Sequence, residues 1–243
     1  MDRLRGTVPL SSWDAARAKA GGTYDADLVN RFRVERSAGR IPDGASLQAN
    51  VLGLVAPLLG KPDMMVTDLG GATGDLGADF LKVWPAAHYT VVENPTMAAL
   101  MQGRGAVRFT TEIPPACDIF FTSSTLHYLD DPMAALARGL ASASRAAIVV
   151  RNGFADDEKF YAQRSRLYDN GGGPVPPGYA DRWISYPRRT IREAEILALA
   201  QAQGFQCIAR LDESCAYRRA YSRQLVMWRT EAAPWPPNLA PAR

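Results

Sequence analysis

Short apolar stretches alternate with longer mixed stretches along the chain from Met64 onward. The apolar stretches are about six residues long and rich in Val, Ile, Phe and Met, which favour strands. Such alternation is typical of a parallel sheet covered by helices. The pattern therefore predicts an α/β fold whose first five strands occupy residues 64–69, 88–93, 107–111, 118–123 and 146–151.

The connecting segments and the C-terminal part complete this pattern. Helices are predicted over 75–84, 95–102, 131–143 and 190–203, and the last ends at Gly204, a suitable C-terminal cap. Two further strands, over 205–211 and 224–229, lie too close in sequence for a crossover helix between them. We therefore expect them to form an antiparallel hairpin.

Three segments lie outside the regular pattern. Residues 1–60 contain predicted helices over 12–20, 26–36 and 46–59, which we interpret as an N-terminal helical cap before a Rossmann-like domain over 61–231. Residues 151–189 form an insertion after the fifth strand, and glycines and prolines in its middle exclude regular structure there. We interpret this insertion as a lid. The proline-rich tail, 232–243, is expected to be poorly ordered.

Composition excludes several classes of protein. With 47% hydrophobic and 22% charged residues in 243, the chain has enough apolar material for a globular core. No apolar stretch approaches the roughly 20 residues of a membrane span. The 24 Arg and 4 Lys are dispersed, which argues against a nucleic-acid partner. Three cysteines without a metal-binding spacing predict neither disulfides nor a metal site, and the lack of a signal peptide predicts a cytoplasmic protein.

The most informative motif follows the first predicted strand. Asp68-x-Gly70-x-Ala72-x-Gly74, with Gly71, joins a strand to a helix N-terminus, where glycines let the backbone approach a nucleotide closely. The glycine spacing differs from the dinucleotide fingerprint Gly-x-Gly-x-x-Gly. An acid beside the loop suits the ammonium of an amino-acid moiety better than a pyrophosphate. This combination favours S-adenosylmethionine as the cofactor.

A second acid supports this interpretation. Glu93 ends the next predicted strand, 25 residues after Asp68, where its carboxylate can accept hydrogen bonds from both ribose hydroxyls. The alternative is a glycine-rich turn with a solvated acid nearby. The agreement of the two signals favours a nucleoside site.

The motifs resemble those of class I S-adenosylmethionine-dependent methyltransferases. A narrower resemblance is to a bacterial methyltransferase family, often found among polysaccharide or secondary-metabolite biosynthesis genes, in Val66-Thr-Asp-Leu-Gly-Gly71, Val91-Val-Glu-Asn-Pro95 and Ser123-Ser-Thr-Leu-His-Tyr-Leu-Asp-Asp-Pro132. Trp13-Asp-Ala-Ala16 and Gly22-Thr-Tyr24-Asp25 also resemble the opening of that family.

The resemblance implies the fold, the cofactor and the type of reaction, and it says little about the acceptor. It places the methionine moiety of the cofactor at the loop and the ribose at Glu93. Asn94 would lie beside the adenine, and Ala72 stands where the class often has glycine. The implied cofactor site contains Asp68, Gly70, Gly71, Ala72, Gly74, Glu93, Asn94 and Ser123.

Candidate acceptor residues lie further along the chain. His127 follows the fourth strand, where open α/β sheets bind ligands, so it is either a general base or a structural histidine. Tyr128 is the next residue. Arginines mixed with aromatics in the insertion suggest an anionic or sugar-like acceptor, or a solvated helix over packed rings. The candidate contacts are Tyr128, Arg151, Tyr161, Trp183 and Tyr186.

These observations predict a methyltransferase that acts on a small molecule, with S-adenosylhomocysteine as product. Methylation of a hydroxyl or carboxylate oxygen is favoured, followed by methylation of nitrogen. Three other functions stay open: a non-catalytic S-adenosylmethionine-binding partner protein, a nicotinamide-dependent oxidoreductase, and methylation of nucleic acid. The sequence is compatible with a monomer or a homodimer.

Overall fold

Five parallel strands form the centre of the structure, a computed structural model that describes residues 8–41, 50–214 and 220–230. They lie side by side, and each neighbouring pair is parallel. All five predicted strands are present, within a few residues of their expected bounds. They are β1 (Met65–Leu69), β2 (His88–Val92), β3 (Arg108–Thr110), β4 (Cys117–Ser123) and β5 (Ala143–Val150).

Two C-terminal strands extend this sheet beyond β5. The strands β8 (Phe205–Glu213) and β9 (Ser222–Arg229) pair antiparallel, and β9 also pairs antiparallel with β5. The complete order is β3-β2-β1-β4-β5-β9-β8. The predicted mostly parallel sheet with a C-terminal hairpin is therefore confirmed.

The predicted helices are also present. Several begin with a side-chain cap; for example, Ser12 accepts a hydrogen bond from Ala15 N, and Asp131 accepts one from Ala134 N. Residues 46–49 of the helix predicted over 46–59 lie outside the described residues, as do the tail and Cys215. The helices are α1 (Trp13–Ala20), α2 (Asp27–Ala38), α3 (Val51–Val55), α4 (Asp75–Val83), α5 (Pro95–Met101), α6 (Pro132–Ser142) and α7 (Glu193–Ala202).

Helices cover both faces of the sheet. On one face Val66, Phe80 and Tyr89 belong to a buried apolar cluster, and on the other Phe120 and Leu136 belong to a second cluster. Because its side chains point alternately to the two clusters, β4 is buried over almost its whole length. This explains why the central strands read as continuous apolar runs in the sequence.

The insertion after β5 contains two strands that the sequence did not predict. β6 (Phe160–Arg166) and β7 (Trp183–Arg189) form a separate antiparallel sheet, while residues 170–182 contain no helix or strand, as expected. The inward-facing residues of this hairpin include Gln163, Ser165 and Arg188, all buried. Polar residues at buried positions hide the alternation by which a half-buried strand is normally recognised.

The hairpin and the N-terminal helices lie together. α1 packs against both β6 and β7, and Leu10 forms an isolated antiparallel bridge with Phe160. The order of the central sheet reverses between β1 and β4, so the carboxyl ends of these strands mark the expected ligand site. In the part of the chain that the structure describes, no helix combines the length and the apolar character of a membrane span.

Candidate functional site

The loop after β1 has the backbone geometry that its glycines predict. Gly70 and Gly74 have φ of 77° and 72°, and the Gly70 amide donates to the Val92 carbonyl at 2.9 Å. A Cβ at Gly70 would lie 2.1 Å from Thr125 Oγ1, so the loop packs directly against the exit of β4. Glycine is required here by both conformation and space.

Backbone strain is concentrated around this loop. Within the described residues, the non-glycine residues with positive φ are Ala72 (51°), Ser124 (57°) and Arg151 (57°). They follow β1, β4 and β5, and all three line one cavity. Left-handed backbone is costly for such residues and clusters at functional sites. This strain independently marks the carboxyl ends of the central strands.

Asp68 is buried at the end of β1, with 2% of its surface exposed. Its Oδ2 accepts a hydrogen bond from Tyr89 Oη at 2.8 Å, whereas its buried Oδ1 has no partner among the described residues. Burial raises the pKa of the carboxyl to about 7, although the Tyr89 hydrogen bond opposes this and Glu93 adds to it. An unpaired buried carboxylate oxygen is suited to a charged donor from a ligand.

Glu93 lies beyond β2 and contacts the glycine loop. Its Oε1 accepts from the Ala72 amide at 3.0 Å, and its Oε2 accepts from the backbone and side-chain nitrogens of Asn94, both at 2.9 Å. Asn94 Oδ1 in turn accepts from Met97 N at 2.9 Å and caps α5. Because each carboxylate oxygen can accept about two hydrogen bonds, Oε1 of this fixed carboxylate can still accept one from a ligand hydroxyl.

A cavity of about 1620 Å³ connects these groups. It exceeds the roughly 300–1,000 Å³ usual for one small ligand, so two ligands can be accommodated. The predicted site residues on its wall are Asp68, Gly70, Gly71, Ala72, Glu93, Asn94, Ser123, Tyr128 and Arg151. Gly74 borders a neighbouring cavity of about 380 Å³.

Besides Gly74, four predicted residues do not line the large cavity. Tyr161 and Tyr186 are buried within the hairpin region, at 2% and 0% exposure. Trp183 is 55% exposed on the outside, with the guanidinium groups of Arg164 and Arg166 near its ring. The fourth is His127. The side chains of Tyr161 and Tyr186 point inward and that of Trp183 points outward, a distinction that the sequence did not reveal.

His127 is completely buried in the short 3-10 helix Leu126–Tyr128. The Gly153 amide lies 3.4 Å from its Nδ1 and donates to it. Burial lowers the pKa of this histidine well below its usual value, and the positive charge of Arg188 lowers it further. His127 is therefore neutral at physiological pH, and its neighbour Tyr128 occupies the cavity wall instead.

The N-terminal helical region supplies wall residues that sequence reasoning missed. Trp13, Tyr24 and Arg33 all line the cavity. The ring of Tyr24 stacks on that of Tyr128, with centroids 4.4 Å apart and planes at 16°. The motif Gly22-Thr-Tyr24-Asp25 was the available signal, but nothing in it indicated which face of the sheet the segment would cover.

No metal cluster accompanies these residues. The part of the chain that the structure describes contains no group of three or more His, Cys, Asp or Glu side chains that could hold an ion.

Comparisons with known proteins agree with the class of fold that this architecture defines. No protein-family model matches the chain, and no curated protein matches it. Solved structures of methyltransferases do match. Magnesium protoporphyrin IX methyltransferase from Synechocystis PCC 6803, with bound S-adenosylmethionine, has 18% identity and a TM-score of 0.54 over 90% of this chain and 98% of its own.

Two further structures give the same result. The 1,6-didemethyltoxoflavin-N1-methyltransferase of Burkholderia thailandensis, with bound S-adenosylhomocysteine, has 21% identity and a TM-score of 0.54 over 93% of this chain and 95% of its own. An amino pentose methyltransferase from Micromonospora echinaspora has 17% identity and a TM-score of 0.52, covering 79% and 94%. The chain has the Rossmann-like fold of class I methyltransferases.

Proposed function

We propose that the protein is an S-adenosylmethionine-dependent methyltransferase that acts on a small molecule. The observation that carries this proposal is the buried, unpaired Oδ1 of Asp68, which lies beside a strained glycine loop in a cavity large enough for two ligands. The fold and the bound cofactors of the similar structures support the same conclusion.

The residues present fit the proposed cofactor. The cofactor supplies a methyl group that is already activated by attachment to a sulfonium. Asp68 would pair with the ammonium of its methionine moiety, and Glu93 Oε1 would accept a hydrogen bond from a ribose hydroxyl. Asn94 would lie beside the adenine, and Gly70 and Gly71 let the backbone approach the ligand closely.

The other half of the cavity would hold the acceptor. Tyr128 and Arg151 supply an aromatic ring and a cation on its wall, which suits an anionic or sugar-like molecule. Trp13 and Tyr24 on the N-terminal side extend this wall. The neighbours named for porphyrin, toxoflavin and amino pentose methylation are consistent with a small-molecule acceptor.

We favour oxygen as the methylated atom. The described residues on the cavity wall include no histidine, lysine or cysteine, and His127 is buried behind Tyr128. A carboxylate or an acidic hydroxyl is deprotonated near neutral pH without a dedicated base, and positioning in line with the sulfonium can then supply much of the acceleration. Methylation of nitrogen is the alternative. In either case, His127 would help to position Tyr128 and would not transfer a proton.

The N-terminal helices and the insertion would act together as a lid. Trp13 Nε1 donates to Asp130 Oδ1 at 2.7 Å, and Arg189 on β7 stacks over Trp13 at 4.1 Å. These contacts join α1, the hairpin and the loop before α6 above the cavity. A closed lid would exclude water from the methyl group. The biosynthesis of polysaccharides or secondary metabolites, in the cytoplasm, is the context that we propose.

Substitution of the two acids tests this assignment. We expect Asp68→Ala and Glu93→Ala each to weaken S-adenosylhomocysteine binding at least tenfold, because each removes a charged hydrogen-bonding partner. Glu195→Gln is the matched control, since Glu195 lies on α7 and pairs with Arg192. Calorimetric titration measures all three. Unchanged affinity in both alanine variants would refute the assignment.

Turnover separates an enzyme from a protein that only binds the cofactor. We expect formation of S-adenosylhomocysteine from S-adenosylmethionine in the presence of carboxylate or phenolic acceptors. Cofactor binding without turnover across a broad panel of acids, phenols, sugars and amines would favour the non-catalytic alternative.

A further inference from the structure

Arg33 is a buried cation on the wall of the large cavity. It lies on α2, and only 6% of its surface is exposed. Its guanidinium stacks over the ring of Tyr24, 4.1 Å from the centroid. Within residues 8–41, 50–214 and 220–230, no hydrogen bond or ion pair involves this guanidinium. A mostly buried guanidinium that faces a cavity without a polar partner is suited to an anionic ligand.

Neighbouring arginines differ from Arg33 because they have polar partners. Arg40 pairs with Asp79, and Arg31 pairs with Asp27 at 2.8 Å. Arg36 donates to the carbonyl oxygens of Gly173 at 2.8 Å and Asn170 at 3.1 Å. The lack of such partners at Arg33 is therefore a local property, not a general feature of this helix.

Contacts of α2 place Arg33 above the glycine loop. Asn30, one turn before it, donates through Nδ2 to Asn94 Oδ1 at 3.1 Å, beyond the end of β2. Ser37, one turn after it, donates to Asp75, the first residue of α4. Residues three and four apart lie on the same face of a helix. Arg33 therefore faces the space between the end of β2 and the start of α4, which the loop occupies.

The adjacent glycines of the insertion confirm this position. A Cβ at Gly171 would lie 3.4 Å from Arg33 Cγ, and one at Gly172 would lie 3.6 Å from Asp75 Oδ2. The same two glycines thus contact Arg33 and the beginning of α4. Both also line the cavity, on the side of the glycine loop.

We propose that Arg33 binds the α-carboxylate of the methionine moiety of the cofactor. This inference rests on the proposed function. Asp68 and Arg33 then recognise the two charges of one amino acid. The Asp68 carboxylate accepts from the cofactor ammonium, and the Arg33 guanidinium donates to the cofactor carboxylate. The planar guanidinium of Arg33 can form two parallel hydrogen bonds with a carboxylate, and the Tyr24 ring holds the guanidinium in one orientation.

The stack also links the cofactor to the acceptor wall. The Tyr24 ring lies against the Arg33 guanidinium and also stacks on the Tyr128 ring, with the two ring centroids 4.4 Å apart. A carboxylate bound to Arg33 therefore fixes a ring of the N-terminal segment against the exit of β4. Binding of the amino-acid end of the cofactor would help to order the acceptor side of the cavity.

The test compares S-adenosylhomocysteine with its carboxamide, in which the carboxylate is replaced by a neutral amide. Calorimetric titration of the wild-type full-length protein is expected to give at least tenfold tighter binding of the acid. In Arg33→Gln we expect this preference to fall to less than threefold, because only the acid loses a charged partner. Arg31→Gln on the same helix is the control, and it should keep the wild-type preference.

The wild-type comparison does not depend on the folding of any variant. Equal affinity of the wild-type protein for acid and amide would overturn the role of Arg33, as would an undiminished preference for the acid in Arg33→Gln. In either case the proposed cofactor would stand. If the wild-type protein binds neither compound, the proposed function itself fails and this inference falls with it.

Discussion

At the scale of single residues, Asp68 combines two properties that oppose each other. Its carboxyl is buried. Oδ2 accepts a hydrogen bond from the Tyr89 hydroxyl, whereas Oδ1 has no partner among the described residues. Burial raises its pKa to about 7, so the charged form is disfavoured in the free protein. A ligand ammonium would restore the charged form. The ionised form of Asp68, which the site requires, therefore destabilises the fold.

This opposition predicts a pH dependence of cofactor affinity. The ammonium of S-adenosylhomocysteine requires the ionised carboxylate, so affinity should fall by up to tenfold per unit as the pH drops below about 7. Titrations between pH 5.5 and 8.5 measure this. Asp68→Asn should bind more weakly and show a much flatter profile over this range. An equally steep profile in the variant would mean that another group is responsible.

The stability of the free protein should respond in the opposite direction. Because the folded-state pKa of Asp68 lies above its ordinary value of 3.8, the unfolded state loses its proton first as the pH rises. Ionisation of Asp68 therefore lowers the free energy of unfolding between about pH 4 and pH 7. At pH 8 Asp68→Asn is expected to be more stable than the wild type, by up to about 4 kcal/mol. Urea denaturation at pH 8 measures the difference, and a less stable variant would contradict it.

Ala72 is a second residue where the loop carries strain. It has φ of 51°, which an alanine tolerates poorly, and the methyltransferase class that the motif resembles often has glycine at this position. Ala72→Gly should raise the free energy of unfolding by about 1 kcal/mol, since left-handed backbone costs alanine roughly 1–2 kcal/mol and glycine little. Thermal denaturation checks this. A lower melting temperature would show that the flexibility of glycine outweighs the strain.

At the scale of elements, the strands and helices of the central domain were predictable, whereas the hairpin within the insertion was not. Strands β1 to β5 are apolar because they are buried on both faces. Asp68 lies near the end of β1 and Glu93 directly follows β2, next to recognisable glycine and proline signals. The hairpin β6–β7 escaped prediction because Gln163 and Arg188 are buried within it.

The candidate site was predictable to a similar extent. The loop residues of the site were predictable because each comes just after a predicted strand. Gly70, Glu93 and Arg151 are examples, and all three line the cavity. His127 and Tyr128 are adjacent in sequence, and only the 3-10 helix determines that the histidine points inward. The position of Arg33 on the cavity wall depends on how α2 packs over the sheet, and sequence spacing does not specify that packing.

Arg189 connects the elements of the proposed lid, and its removal tests their coupling. Its guanidinium donates to Glu158 at 2.9 Å and to the Asp130 carbonyl at 3.0 Å, and it stacks over Trp13. Arg189→Met should increase amide hydrogen exchange in α1 and in β6, because these contacts hold the elements together. Arg192→Met, at an exposed ion pair, is the control. Equal protection in both variants would argue against a coupled lid.

At the scale of the whole molecule, the sheet order and the strained residues converge on one cavity. The order reverses between β1 and β4, and Ala72, Ser124 and Arg151 lie beyond the carboxyl ends of β1, β4 and β5. The N-terminal helices and the hairpin enclose the same space. The similar structures share this architecture at 17–21% identity, so the fold is retained where most residues differ.

The central claim is the identity of the cofactor, and a calorimetric titration of the wild-type protein tests it most directly. S-adenosylmethionine, S-adenosylhomocysteine and NADPH would be titrated side by side at pH 8, where Asp68 is predominantly ionised. We predict micromolar binding of the first two and no binding of NADPH. Binding of NADPH alone would contradict the account and indicate an oxidoreductase.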